Sequence, residues 1–106
     1  MSGRIEIHEV ATRDLAEQAD YLWGRSPRSA ERFTAAVQQT FQMLLRTPGL
    51  GRPRDYGIPE LAGMRMKSVV RFKSHLIFYR PTEYGIEIIR VLHAARDIES
   101  LFREGT

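Results

Sequence analysis

The chain has no cysteine. Disulfide scaffolds, thiolate metal sites and cysteine nucleophiles are therefore excluded, and a reducing, cytoplasmic setting is expected. No long apolar run stands at the N-terminus, so neither a signal peptide nor a membrane-spanning helix is predicted, and no membrane partner is expected. A phosphate-cradling loop is missing: Gly49-Leu50-Gly51 is followed by Arg52-Pro53 rather than by a helix opening with Lys and Ser/Thr. No G-x-S-x-G elbow occurs. His8, His75 and His93 fall on different predicted elements, without the short ligand spacings of common metal sites. Neither a metal nor any other cofactor is expected. Acid is absent from one stretch, residues 61–82, which carries Arg65, Lys67, Arg71, Lys73 and Arg80.

What is present fits one domain over residues 1–106. The length supports a single core, 42% hydrophobic residues can fill it, and 27% charged residues in a mixed pattern argue against disorder. The net charge of +3 is unevenly placed. Residues 1–45 hold five arginines against six acids, whereas residues 46–106 hold eleven Arg/Lys against seven acids. A near-neutral first half followed by a basic second half points to an anionic partner, either nucleic acid or an acidic polypeptide.

Hydrophobic periodicity orders the elements. Ile5 and Ile7 alternate with Arg4, Glu6 and His8, giving a short half-buried strand. Thr12 is placed to cap a helix with Asp14 in its first turn, and Leu15, Ala19 and Leu22 form the apolar stripe, flanked by Tyr21 and Trp23. Gly24 is a plausible stop. Ser26-Pro27 then supplies an N-cap and a proline at the first helical position. Ala30, Phe33, Val37, Phe41 and Leu44 recur at helical spacing until Pro48-Gly49. The two helices, joined by about three residues, make an antiparallel hairpin. Residues 48–60 contain three Gly and three Pro and read as a loop. Leu61 to Val70 reads as a strand with Met64 and Met66 on one face and Arg65 and Lys67 on the other. Phe72 to His75 is the expected turn, Leu76 to Arg80 the next strand, and residues 81–85 a hairpin connection into Ile86 to His93. Asp97 can cap a short final helix with Ile98, Leu101 and Phe102. The predicted class is α+β in the order β-α-α-β-β-β-(α): an antiparallel sheet with the helical hairpin on one face, the first strand at an edge and the other face partly open.

The chemistry-bearing residues are basic. A metal-free ribonuclease needs a base for the 2′-hydroxyl, an acid for the leaving oxygen and cations for the phosphorane charge. Arg65, Arg90 and His93 are the residues that could serve. Strand periodicity weighs against this set, because Arg90 and His93 are three apart and point to opposite faces of a regular strand. Arg90 is itself unusual, a charge inside the apolar run Ile86 to Leu92.

Several segments together resemble the ParE branch of the RelE/ParE toxin superfamily of bacterial type II toxin–antitoxin systems, which includes plasmid stabilisation proteins. They are Ala11 to Leu15, Tyr21-Leu22-Trp23, Ser26 to Phe33, Thr47 to Gly51, Gly63-Met64-Arg65, His75 to Arg80 and Ile88 to Asp97, in that order and over nearly the whole chain. The resemblance implies a toxin neutralised by a cognate antitoxin whose C-terminal segment wraps the helices and sheet, forming a hetero-oligomeric complex. ParE-like members poison DNA gyrase; RelE-like members cleave mRNA on the ribosome. RelE-like ribonucleases carry catalytic His or Tyr residues close to the C-terminus, whereas this chain ends in Ile98 to Thr106 without either. The expected function is therefore gyrase inhibition by protein–protein contact, without intrinsic catalysis. The alternatives are a ribosome-dependent mRNA endonuclease or a non-toxic binding module. An acidic antitoxin, and the target, are expected to meet some of Arg65, Lys67, Arg71, Arg80, Arg90 and Arg96.

Overall fold

The computed structural model describes residues 3–104, so the extreme ends of the predicted 1–106 domain lie outside the described residues. Strand β1 (Arg4–Ile7) runs through His8 straight into helix α1 (Glu9–Arg25). The helix thus begins three residues before Thr12. His8 takes the N-cap position with φ −62° and ψ 147° but caps nothing with its side chain. Asp14 consequently lies inside the helix, and it is buried rather than exposed in a first turn.

Ser26 both ends α1 and begins helix α2 (Pro27–Arg46). Its N–H reaches Leu22 O at 2.7 Å and its hydroxyl accepts from Ser29 N at 3.3 Å. The hairpin joint is one residue, not three. The predicted stripe of α2 is buried as expected, joined by Ala36 and Thr40. Thr40 spends its hydroxyl twice, donating to Ala36 O (2.7 Å) and accepting from Val70 N (3.0 Å), and so ties the helix to the sheet.

Among the described residues the sheet has five strands in the order β1-β5-β4-β3-β2, with β2 at Arg52–Pro53, β3 at Arg65–Val69, β4 at Phe72–Pro81 and β5 at Gly85–His93. Strands β2 to β5 pair antiparallel. The first strand does sit at an edge, but it pairs with β5 in parallel, so the sheet is mixed. The 48–60 segment is not wholly loop: it contributes β2 and the start of a single 3-10 turn, Pro59–Leu61. The turn expected at Phe72 to His75 is instead Val70-Arg71, with Val69 opposite Phe72. Phe72 and His75 are drawn into β4 because both rings pack on Phe33 of α2, at centroid distances of 5.4 and 4.7 Å.

Two apolar clusters sandwich the sheet. Phe33, Val37, Phe41 and Leu44 of α2 cover Ile77, Tyr79, Ile86, Ile88 and Val91 on one face. The far face, expected to be partly open, is covered by helix α3 (Ile98–Arg103) and the 56–61 segment. Phe102 packs there with Met64, Phe78, Ile89 and Leu92. Asp97 caps α3 as predicted, accepting from Ser100 N and Ser100 Oγ. Among the described residues, no helix is long and apolar enough to cross a membrane.

Candidate functional site

The arginine inside the last strand has a partner 76 positions away. Arg90 Nε and Nη2 donate to Asp14 Oδ2 and Oδ1, each at 2.8 Å, and both residues are about 95% buried (5% and 4% exposed). The hydrogen bonding to Asp14 is the largest effect, and with the Asp14 charge it outweighs burial in holding the Arg90 guanidinium above its usual range. The local backbone explains the placement. Strand β1 pairs with β5 only as far as Ile7 opposite Ile88, so the rest of β5 has no strand on that side. Two α1 side chains one turn apart replace the missing strand. Asp14 accepts from Val91 N (3.1 Å), and Gln18 Nε2 donates to Val91 O (2.7 Å). A bulge sits at the same point: Tyr79 opposes Ile88 and Phe78 opposes Arg90, which leaves Ile89 as the extra residue. Arg90 is thus committed to holding α1 against β5.

The remaining candidates fall in three places. Arg65 and Lys67 share the helix-side face of β3, opposite Tyr79 and Ile77 of the helix-side cluster, and Arg71 stands at the following turn. Arg65 is steered by the loop after α2. Its Nη1 donates to Gly51 O (2.5 Å) and Gly49 O (3.3 Å), while the buried Tyr79 hydroxyl donates to Pro48 O and accepts from Gly51 N, both at 2.7 Å. Burial raises the Tyr79 pKa against the opposing effects of Gly51 and Arg65, so the hydroxyl stays neutral. Glycine is required at 51, where a Cβ would lie 2.7 Å from the Tyr79 hydroxyl and 2.8 Å from Met66 O. Arg71 is the one non-glycine residue with positive φ (64°) among the described residues, and its guanidinium donates to Gln39 of α2 at 2.6 Å. Arg71, Phe72, Arg32 and Ala35 line a cleft of about 390 Å³ between α2 and the β3–β4 turn.

Arg80 lies on the opposite face and acts as a staple. Its Nε donates to Glu87 (2.7 Å), and its Nη1 donates to Glu60 O and Ala62 O. His8 completes this cluster with a 2.8 Å contact to the other Glu87 oxygen. Arg96 stands exposed in the turn after β5.

The three residues a ribonuclease would need are not brought together. Arg90 is consumed by Asp14. His93 pairs in register with His75, four residues along β4 from Tyr79, which opposes Arg65. At about 3.3 Å per residue and 4.8 Å per strand, that separation is roughly 16 Å. His93 Nδ1 accepts from Ala95 N (3.0 Å) in the exit turn. Its ring stands edge-on to His75 at 5.1 Å. His75 Nδ1 meets Gln18 Oε1 at 2.7 Å; because the Gln18 amide nitrogen is given to Val91 O, the His75 nitrogen is the donor. Burial, then the charge of His93, lowers the His75 pKa from 6.5.

One exposed feature was not singled out as a site in the sequence. Trp23 and Tyr21 are 58% and 64% exposed, and Trp23 flanks a groove of about 440 Å³ between the helices, lined also by Ala19, Asp20, Ala30, Glu31 and Ala35. The legible signal is the position of both aromatics just off the half-buried stripe of α1, where large rings have no core to fill.

The chain is thus a small basic α+β domain with a helical hairpin on its sheet and an exposed tryptophan beside an interhelical groove. A solved structure titled "Chromosomal ParDE TA system from P. aeruginosa" contains a chain with the same fold. The TM-score is 0.69 at 18% identity, covering 87% of this chain and 96% of that one, a likeness of fold. No curated protein matches the chain in sequence. Residues 5–98 match the family described as the ParE toxin of type II toxin–antitoxin system, parDE, and the chain belongs to that family.

Proposed function

We propose that this chain acts in the cytoplasm as a toxin that inhibits DNA gyrase by protein–protein contact, and that a cognate acidic antitoxin neutralises it in a hetero-oligomeric complex. Family membership supports the toxin role. The observation that carries contact over catalysis is the fate of the would-be catalytic arginine: Arg90 is buried and doubly bonded to Asp14. What the molecule leaves exposed is instead suited to binding, with Trp23 beside an interhelical groove and cations at Arg71 and Arg96, while Lys67 is half-buried on β3. Arg71 is held in a left-handed conformation that disfavours a side chain, which argues that its side chain serves a purpose at the turn. In this reading Arg65, Lys67, Arg71 and Arg96 meet acids of the antitoxin or target. Arg80 and Arg90 hold the fold.

Purified chain added to a gyrase supercoiling assay should inhibit supercoiling or trap a cleavage complex, and antitoxin should relieve the effect. Unchanged gyrase activity at saturating protein refutes the reading. Codon-positioned cuts found by primer extension after induction would favour the endonuclease instead.

A further inference from the structure

Strand β1 closes the sheet on one side, and its outer edge faces away from every other strand. Arg4 N bonds Tyr84 O and His8 N bonds Ile88 O, so residues 4, 6 and 8 direct their backbone groups toward β5. By alternation, the N–H and C=O groups of Gly3, Ile5 and Ile7 point outward. The side chains alternate in the other sense. Ile5 and Ile7, opposite Ile86 and Ile88, lie on the helix side, and Ile7 remains 41% exposed. Arg4 and Glu6 lie on the far side. Glu6 stands opposite Glu87, whose charge is already answered by Arg80 and His8. Among the described residues, neither Glu6 nor Arg4 has an ion-pair partner.

We propose that this edge is a self-association surface on which the β1 strand of a second copy of the chain pairs antiparallel, joining two five-stranded sheets into one across a two-fold axis. One register pairs apolar with apolar on the helix side and opposite charges on the far side. Centred on Ile5, it sets Ile5 against Ile5 of the other copy as a hydrogen-bonded pair and brings the outward groups of Ile7 and Gly3 together. On the far side it sets Arg4 opposite Glu6, twice by symmetry, and each unpartnered charge gains its opposite. A shift of one residue would place apolar side chains against charged ones from the wrong face. Centring on Glu6 opposes two glutamates, and centring on Arg4 opposes two arginines, both unfavourable. The proposal stands apart from the toxin reading, since it uses none of the residues assigned there.

Sedimentation velocity of the full chain over a roughly hundredfold concentration range tests it. A concentration-dependent dimer is expected. Arg4→Glu and Glu6→Arg should each raise its dissociation constant about tenfold or more, and the double swap should restore it because the pairs re-form with reversed sign. A monomer throughout, a dimer indifferent to both single changes, or a double swap no better than the singles overturns the proposal. If a charge variant fails to fold, the absence of native cysteine gives an independent test. Opposed hydrogen-bonded residues have Cα atoms about 5.5 Å apart, within disulfide reach. Oxidised Ile5→Cys should therefore form a disulfide dimer, and Glu6→Cys should not. Failure of Ile5→Cys to cross-link, or preferential cross-linking of Glu6→Cys, overturns it.

Discussion

Replacing Asp14 by alanine takes hydrogen-bond partners from two groups at once. The Arg90 guanidinium loses two 2.8 Å bonds to a carboxylate while remaining buried, and Val91 N–H loses its 3.1 Å acceptor. Removing one partner of a buried pair costs about 3–5 kcal/mol, and an unsatisfied buried donor about 1–3 kcal/mol. Both losses arise from one carboxylate, so they do not add fully, and about 4 kcal/mol is expected in total. Against the ~5–15 kcal/mol stability typical of a domain this size, that is a large fraction. It corresponds to a fall in Tm of about 15–30 °C. Asp14→Asn keeps an acceptor for Val91 and should lose less. The decisive variant is Asp14→Leu with Arg90→Met, which removes both charges. It should recover most of the loss, leaving the cost of the bare Val91 N–H. Urea unfolding with an unchanged m-value gives each stability, and the double-mutant cycle gives the coupling. If Asp14→Ala costs under about 1 kcal/mol, or if the two substitutions simply add, the pair does not hold α1 to β5 in the way argued.

The other expectations concern titration and backbone strain. Burial pushes the Glu87 pKa up, but hydrogen bonds from His8 and Arg80, then their charges, bring it net below 4.5; the stability it contributes is present above pH 4.5 and lost as pH falls below that. Acid unfolding of Glu87→Gln followed by circular dichroism should therefore show a shallower loss in that range. His75, with its pKa lowered by burial and by His93, favours folding in its neutral form, so stability should fall as pH drops below 6.5. In His93→Ala the His75 imidazole should titrate at higher pH, read directly by NMR. Arg71→Gly relieves the left-handed strain and should raise stability by about 0.5–1 kcal/mol in a thermal melt, while weakening capture by an acidic antitoxin.

The helical part of this fold was legible because its signals are local. Ser26-Pro27 and the five-residue apolar stripe of α2 act within a turn or two of themselves, and both appear as read. The α1 start was missed because no side chain caps it. His8 is held instead by Glu87, a contact across 79 positions. Asp14 was read from its neighbours as a helix-dipole acid, and its real role depends on where β1 stops, which no local pattern encodes. The Ile89 bulge and the covered far face are equally non-local: each follows from elements docking late in the chain order. Period-two alternation alone separates Arg65 and Lys67 from Met64 and Met66, but which of the two faces meets the helices depends on the docking of α2. Whether an arginine is held by a carboxylate required its partner, and this separates Arg90 and Arg80, paired with Asp14 and Glu87, from Arg71, which meets only the neutral Gln39 amide.

The single-residue joint at Ser26 has a thermodynamic consequence for binding. With no spare chain between α1 and α2, the walls of the Trp23 groove are set by the fold before any ligand arrives. Association then orders little on this side of the interface, and nearly all the conformational entropy lost belongs to the incoming chain. For a chain that docks at this groove, as proposed above, affinity would be tuned through that chain's own stiffness: a pre-formed helix would bind more tightly than a floppy one of the same composition.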